Sequence, residues 1–290
     1  MELSFSKYHG TGNDFIIIDN RKKVFTPRTD QKQALIALIC HRRYGAGADG
    51  LILIEGDASE DFQMHYYNSD GREGSLCGNG SRCAAAFAGH FIYPGKQQFS
   101  FRAVDGTHEA RVTNPHHSRP VVSVTLNQVK QPVNVSPDNF FINTGSPHLV
   151  RFVRNLGSFD VVSLGRKIRY AGKWAPEGTN VNFVEDSGNN TLSVRTYERG
   201  VEDETLSCGT GVTAAAIAAW SHNNPGPDQT AYKIHTSGGK LEVSFQAPDH
   251  HRENFSNIRL KGPVQFVFRG DMDIGALQQS ITTRDEPDEQ

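Results

Sequence analysis

Short apolar runs separated by polar turns dominate this chain, a pattern of strands with a few helices set between them. Phe15-Ile16-Ile17-Ile18 and Leu51-Ile52-Leu53-Ile54 read as buried strands. Between them, Asp30 to Arg43 carries Leu35, Ile36, Leu38 and Ile39 on a helical stripe, with basic residues in its last turn. Phe62 to Tyr67 reads as a strand delivering the turn Asn68-Ser69-Asp70-Gly71. A small-residue helix follows over Ser81 to Phe91, then Phe99 to Ala103 and Thr107 to Val112 joined as a hairpin at Asp105-Gly106. Val121 to Leu126 alternates as a further strand, and Pro132 to Pro137 is read as a linker or domain boundary.

Past that point the order repeats. Leu192 to Tyr197 is a strand, a second small-residue helix runs to about Trp220, and Tyr232 to Thr236 with Leu241 to Phe245 forms a hairpin at Ser237-Gly238-Gly239. Strand, charged turn, helix and hairpin in the same order twice is the signature of a duplicated fold. Ile258 to Leu260 and Val264 to Phe268 are late strands parted by Gly262-Pro263, and the tail over 282–290 is read as disordered.

Composition narrows the class. The chain has 290 residues, 37% of them apolar and 21% charged, with a formal net charge of −2. That length allows two domains with cores of their own, and that balance gives no electrostatic footprint for nucleic acid. No apolar run approaches the roughly 20 residues that span a bilayer. The start, Met1-Glu2-Leu3-Ser4-Phe5-Ser6-Lys7, lacks the layout of a signal peptide. Four cysteines are too few for a disulfide scaffold, so reduced thiols and a cytoplasmic location are expected.

The two helices of the repeat open alike: Cys77-Gly78-Asn79-Gly80 and Cys208-Gly209-Thr210-Gly211. Each is a thiol ahead of a flexible turn whose backbone N–H groups are free, at a helix N-terminus where positive potential favours thiolate. Proximity of two thiols resists ionising both at once and favours a mixed thiolate/thiol pair. Such a pair can take a proton from one face of a carbon while returning one to the other. Cys40, within an apolar helix, and Cys83, six residues past Cys77, read as core. The cysteines lack close C-x-x-C spacing and a nearby histidine, so no metal site is expected. Gly45 to Gly50 fits G-x-G-x-x-G by letter but follows a helix and precedes a strand, the reverse of the dinucleotide-binding order. Nothing identifies a lysine to anchor pyridoxal phosphate, so no cofactor is expected.

Seven blocks in order give the chain a resemblance to the diaminopimelate epimerase family. They are His9-Gly10-Thr11-Gly12-Asn13-Asp14-Phe15, Tyr67-Asn68-Ser69-Asp70-Gly71, Cys77-Gly78-Asn79-Gly80-Ser81-Arg82-Cys83, Thr144-Gly145-Ser146-Pro147-His148, Gly178-Thr179-Asn180-Val181-Asn182-Phe183, Tyr197-Glu198-Arg199-Gly200 and Cys208-Gly209-Thr210-Gly211. The resemblance implies an α/β (α+β) fold of two similar domains related by a pseudo-two-fold. Each would be a curved, mostly antiparallel sheet around a central helix, with the active site in the cleft between them. Residues 1–130 with about 263–278 would form the Cys77 domain, and 131–262 the Cys208 domain. The implied reaction interconverts LL- and meso-diaminopimelate without pyridoxal phosphate, in lysine and peptidoglycan precursor synthesis.

Carried over by motif, Cys77 and Cys208 are the proton-transfer groups. Asn13, Asn68, Asn180, Glu198 and Arg199 hold substrate, and Gly78, Asn79, Gly209 and Thr210 supply backbone N–H groups. His148 is expected to orient the base or tune it. The small-molecule substrate is the expected partner, beside a homodimer of the kind family members often form.

Two departures stand out. Gly50 occupies a position where some members carry a substrate-contacting glutamine. Nine residues, Arg199 to Ser207, separate Glu198 from Cys208 where some relatives have eight, so the acidic turn at Glu202-Asp203-Glu204 must bulge without displacing the cysteine. Two rival readings stand beside this one. A proline or hydroxyproline racemase also uses two cysteines on a similar fold, and a non-catalytic redox-regulated protein would join Cys77 to Cys208 in a disulfide.

Overall fold

The computed structural model describes residues 2–115, 117, 119–174, 176–226, 230–249 and 253–282, so the tail expected to be disordered lies, from residue 283 on, outside the described residues. The chain divides into two compact units. The first takes the residues up to Gly10, Asp14–Pro120 and those from Val264 onward; the second takes Thr11–Asn13 and Val121–Pro263.

The first unit opens with β1 (Glu2–Gly10) and β2 (Asn13–Asp19), followed by α1 (Thr29–Cys40), β3 (Gly50–Glu55) and β4 (Phe62–Asn68). Then come α2 (Gly78–Phe87) and the hairpin β5 (Gln98–Ala103) and β6 (Gly106–Thr113). β2 runs parallel to β3, β3 antiparallel to β4, β4 parallel to β5, and β5 antiparallel to β6. Every residue of α2 is buried, its polar Asn79, Ser81 and Arg82 along with Ala84 to Phe87. It packs on β1, β3, β4 and β6 and passes directly into a π-helical turn, Ala88–Ile92. A further core beneath α1 joins Leu35, Ile36 and Ile39 to Ile16, Ile18, Leu51 and Leu53. α1 ends at Cys40, so His41, Arg42 and Arg43 fall past its last turn rather than in it. The reason is a tertiary contact. Arg42 reaches sideways to the carboxylates of Asp14 and Asp49, and the chain turns there, with Gly45 donating to the His41 carbonyl.

The second unit contains β7 (Val121–Leu126), β8 (Val133–Ser136), β9 (Asn139–Asn143), β10 (Pro147–Phe152), α3 (Val161–Arg169), β11 (Asn180–Asp186), β12 (Thr191–Glu198) and β13 (Asp203–Thr205). After them come α4 (Gly209–Asn223), β14 (Ala231–Thr236), β15 (Gly239–Gln246) and β16 (Ser256–Pro263). The stretch expected as linker, Pro132 to Pro137, holds β8, which pairs antiparallel with β9; its alternating Val133 and Val135 suit a strand between two prolines.

The pairing order of the first unit recurs. β10 is parallel to β11, β11 antiparallel to β12, β12 parallel to β14, and β14 antiparallel to β15. α4 lies against β9, β10, β11, β12, β14 and β15, with Gly209 to Ala219 wholly buried. The chain is thus a mixed, sheet-dominated α/β protein of two similar domains. Each unit is completed by distant segments: β16 pairs with β7, and β17 (Gln265–Asp273), which precedes α5 (Ile274–Thr282), pairs with β1.

Candidate active site

Register makes the two units comparable residue by residue. Phe15 pairs with Gly50 and Gly50 with Asn68 in the first unit, and Ile52 lies opposite Tyr66. In the second unit His148 pairs with Asn180, Val181 with Tyr197, and Asn182 with Thr196. Asn68 and Glu198 therefore hold equivalent ends of β4 and β12, and Gly50 and Asn180 equivalent starts of β3 and β11.

In the first unit, β4 delivers Asn68 into a turn closed by Gly71 N–H on the Asn68 carbonyl and by Asn68 N–H on the Arg72 carbonyl. The chain returns to place Cys77, in extended conformation, as the N-cap of α2. The Cys77 Sγ accepts from the Gly80 N–H at 3.4 Å, the bond a capping side chain makes. One turn on, the Arg82 guanidinium is fully buried and donates through Nη2 to Asn79 Oδ1 at 2.5 Å. Burial lowers Arg82 to about 10, and the opposite charges of Cys83 and Cys77, when ionised, act against that shift. It remains a cation at neutral pH and favours negative charge on Cys77. Burial also drives the Cys83 thiol far up and Cys40 to about 12, which leaves both as uncharged core.

The second unit builds its helix start differently. Cys208 is the extended N-cap of α4, and its Sγ lies 3.5 Å from Thr210 Oγ1. Thr144 pins this turn by donating to the Thr210 carbonyl at 3.0 Å. Thr210 Oγ1 is also 3.0 Å from His148 Nε2, with Ser146 Oγ at 3.1 Å from the same nitrogen. On the other edge of the ring, Nδ1 lies 3.0 Å from Asn182 Nδ2. The Asn182 amide nitrogen also faces the Leu149 carbonyl, a pure acceptor, while its oxygen receives the Thr196 hydroxyl at 2.9 Å. His148 Nδ1 is therefore the acceptor and Nε2 carries the proton. Burial and the nearby Arg199 charge lower His148 to about 3, so the ring is neutral. Its Nε2–H faces the Ser146 and Thr210 oxygens, and Thr210 Oγ1 in turn lies within hydrogen-bond reach of the sulfur.

The remaining expected residues fall as follows. Asn180 is buried, donating to the Pro147 carbonyl at 3.0 Å and accepting the Arg199 backbone N–H at 2.9 Å. Its carboxamide thus shapes the Arg199 turn. Glu198 accepts the Thr205 hydroxyl at 2.8 Å, and Arg199 Nη1 donates to the Glu177 carbonyl at 3.4 Å. Asn13 begins β2, and the Thr11–Asn13 segment belongs to the second unit, where Thr11 Oγ1 donates to Ser207 Oγ at 3.0 Å, one residue before Cys208.

The lengthened acidic turn is anchored at each step. Arg169 holds Glu202, Arg195 grips Glu204 with two bonds of 2.7 Å, and Asp203–Thr205 pairs back on Thr196–Glu198. Arg82, Asn182 and Thr196 were not among the expected site residues; only Asn182, a polar residue between Val181 and Phe183, carried a sequence signal of its own. Among the described residues, no group of three or more His, Cys, Asp or Glu is placed to hold a metal ion, and no helix is long and apolar enough to cross a membrane.

The family model described as diaminopimelate epimerase matches residues 5–130 and 140–267. The chain belongs to the diaminopimelate epimerase family. Its relatives include a diaminopimelate epimerase of Flavobacterium psychrophilum, 49% identical over 92% of this chain and 98% of that protein. Another, of Chlorobaculum tepidum, is 42% identical over 90% and 98%. Diaminopimelate epimerases are isomerases of lysine and peptidoglycan precursor synthesis. Among solved structures, a PhzF-family phenazine biosynthesis protein of Bacillus anthracis superposes with a TM-score of 0.71 at 14% identity, over 94% of this chain and 99% of the other. A hydroxyproline epimerase of Agrobacterium vitis gives 0.68 at 14%, over 93% and 92%. At such identity these two share the fold with the epimerase family, and the sequence relatives carry the rest.

Proposed function

We propose that this chain interconverts LL- and meso-diaminopimelate by a two-base mechanism with Cys77 and Cys208 as the acid/base pair. The observation that carries it is the placement of these two thiols as N-caps of the buried central helices of two like units. In one direction a thiolate takes the α-proton as the C–H bond breaks, and the opposing thiol gives its proton to the other face as the new C–H bond forms. The two sulfurs exchange protonation states and no redox change occurs. The N–H groups of Gly78, Asn79, Gly209 and Thr210 receive the α-carboxylate and stabilise charge developing there. Arg199 grips a carboxylate with its planar fork, Glu198 receives an ammonium, and Asn13, Asn68 and Asn180 complete the polar frame. Arg82 stabilises the Cys77 thiolate, and His148 acts through Thr210 to offer Cys208 Sγ a hydroxyl donor. Thiols kept in these roles need a reducing compartment, so we place the enzyme in the cytoplasm.

The test is proton exchange in deuterated water. Reduced protein without pyridoxal phosphate is incubated with LL-diaminopimelate and followed by NMR and chiral chromatography. Meso product carrying deuterium at one α-carbon is expected. Exchange with proline or hydroxyproline instead would hand the site to a racemase of that type, and silence on all amino acids with titratable thiols would end the proposal.

A further inference from the structure

We infer that Tyr66 is a positioning residue for substrate binding, acting through the carboxamide of Asn68. The inference rests on the reading of Asn68 as a substrate contact. Tyr66 lies on β4 two residues before Asn68, on the same face of the strand, and its phenol donates to Asn68 Oδ1 at 3.0 Å. A phenol proton committed to the amide oxygen fixes which end of the carboxamide is which, so Nδ2, with two donors, faces outward for an anionic or carbonyl group.

The ring itself is held in a slot made by missing side chains. A Cβ on Gly50 would stand 2.6 Å from Tyr66 Cε2 and equally close to the Tyr67 carbonyl. One on Gly74 would stand 2.6 Å from Tyr66 Cε1 and 3.2 Å from Asn68 Nδ2. Phe15 closes the slot edge-on, with ring centroids 6.0 Å apart and planes at 75°. Gly50 is thus the position where a side chain has been given up and an aromatic ring from the facing strand stands instead. Gly74 leaves open the space beside the Asn68 donor. At the register-equivalent site of the second unit, Thr196 likewise orients an amide, that of Asn182. A hydroxyl that aims a carboxamide is present in both units, but only in the first does the amide lie at the strand end, half in solvent.

The experiment is a double-mutant cycle on the full chain, with Tyr66→Phe, Asn68→Ala and the pair. Tyr66→Phe keeps the ring in its slot and removes only the proton donor. Its melting temperature should match wild type, its KM for diaminopimelate should rise about fivefold to tenfold, the effect of one directional hydrogen bond, and kcat should change less than twofold. In the Asn68→Ala background the same change should have no further effect on KM, because the group it aims is gone. Additive effects, an unchanged KM for Tyr66→Phe, or a lowered melting temperature accompanied by an equal fall in kcat would each overturn the inference. Wild-type protein inactive on diaminopimelate would instead count against the functional reading, which separates the two failures.

Discussion

Behind Cys77 the first unit packs Phe15 and Ile52; behind Cys208, at the equivalent register positions, the second unit packs His148 and Asn182. The approach is close in both. A Cβ on Gly80 would meet Ile52 Cδ1 at 3.2 Å, and one on Gly211 would meet Asn182 Oδ1 at 2.3 Å. The same helix start is therefore backed by hydrocarbon in one unit and by a neutral hydrogen-bond chain in the other. The charge behind each helix start differs as well. Arg82 puts a buried cation one turn behind Cys77, where the equivalent residue of α4, Thr213, caps the Gly209 carbonyl with its hydroxyl at 2.9 Å. The scaffold is present in two copies, and the side chains near each thiol differ: a buried guanidinium behind Cys77, and the Thr210 hydroxyl with His148 beside Cys208. The epimerisation proposed above links two diastereomers by inverting one centre, so its two bases need not be equal.

The largest effect expected breaks both sides of the comparison. Cys77→Ala and Cys208→Ala should each lower epimerisation at least about 1000-fold, since acid–base groups of this kind contribute on that order, while circular dichroism and melting temperature stay at wild type. Near-normal turnover in either variant would remove that thiol from the mechanism. Arg199→Lys should lower kcat/KM about 100-fold, because a point charge replaces a planar fork; equal kcat/KM would mean that Arg199 does not hold the carboxylate.

Two weaker perturbations should separate the units. His148→Asn is expected to reduce kcat about tenfold by releasing the Thr210 hydroxyl, and to act on the Cys208 side alone. It also has a pH signature. His148 is lowered to about 3 in the native state and titrates near 6.5 when unfolded, so the unfolded chain binds the extra proton between those values. Its contribution to stability is present above pH 6.5 and is lost as pH falls from there towards 3. The variant should flatten the stability–pH slope in that window by about one proton; an unchanged slope would mean that the ring is not buried neutral. Smallest of all, Arg82→Met should slow alkylation of Cys77 by iodoacetamide about threefold to tenfold, with Cys208 reacting at its wild-type rate. An unchanged rate at Cys77 would mean that Arg82 does not favour its thiolate, and faster alkylation at both thiols would show that the substitution loosens the fold.

Much of this molecule was legible beforehand, for reasons that differ by element. β2, β3, β4, β7 and the hairpins were visible because continuous or alternating apolar runs bounded by turns are local signals. The early end of α1 was not, because it depends on Arg42 finding Asp14 and Asp49. β8 was hidden by flanking prolines that ordinarily mark a connection. The proposal for Cys77 and Cys208 starts from a repeated tetrapeptide, whereas Arg82, Asn182 and Tyr66 are single letters whose meaning lies in what they face.

By itself, the sequence determined the family, the duplicated order of elements and the two thiols at two helix starts, since each of these is written in contiguous motifs. Only the tertiary structure decided the residue-by-residue register of β17 on β1, the pairing of β16 with β7, the tautomer of His148, the buried charge behind Cys77 and the slot that holds Tyr66. The physical reason is the same in every case. A motif specifies its own backbone and chemistry, but burial, register and the direction of a hydrogen bond belong to pairs of residues that meet only when distant segments are packed together.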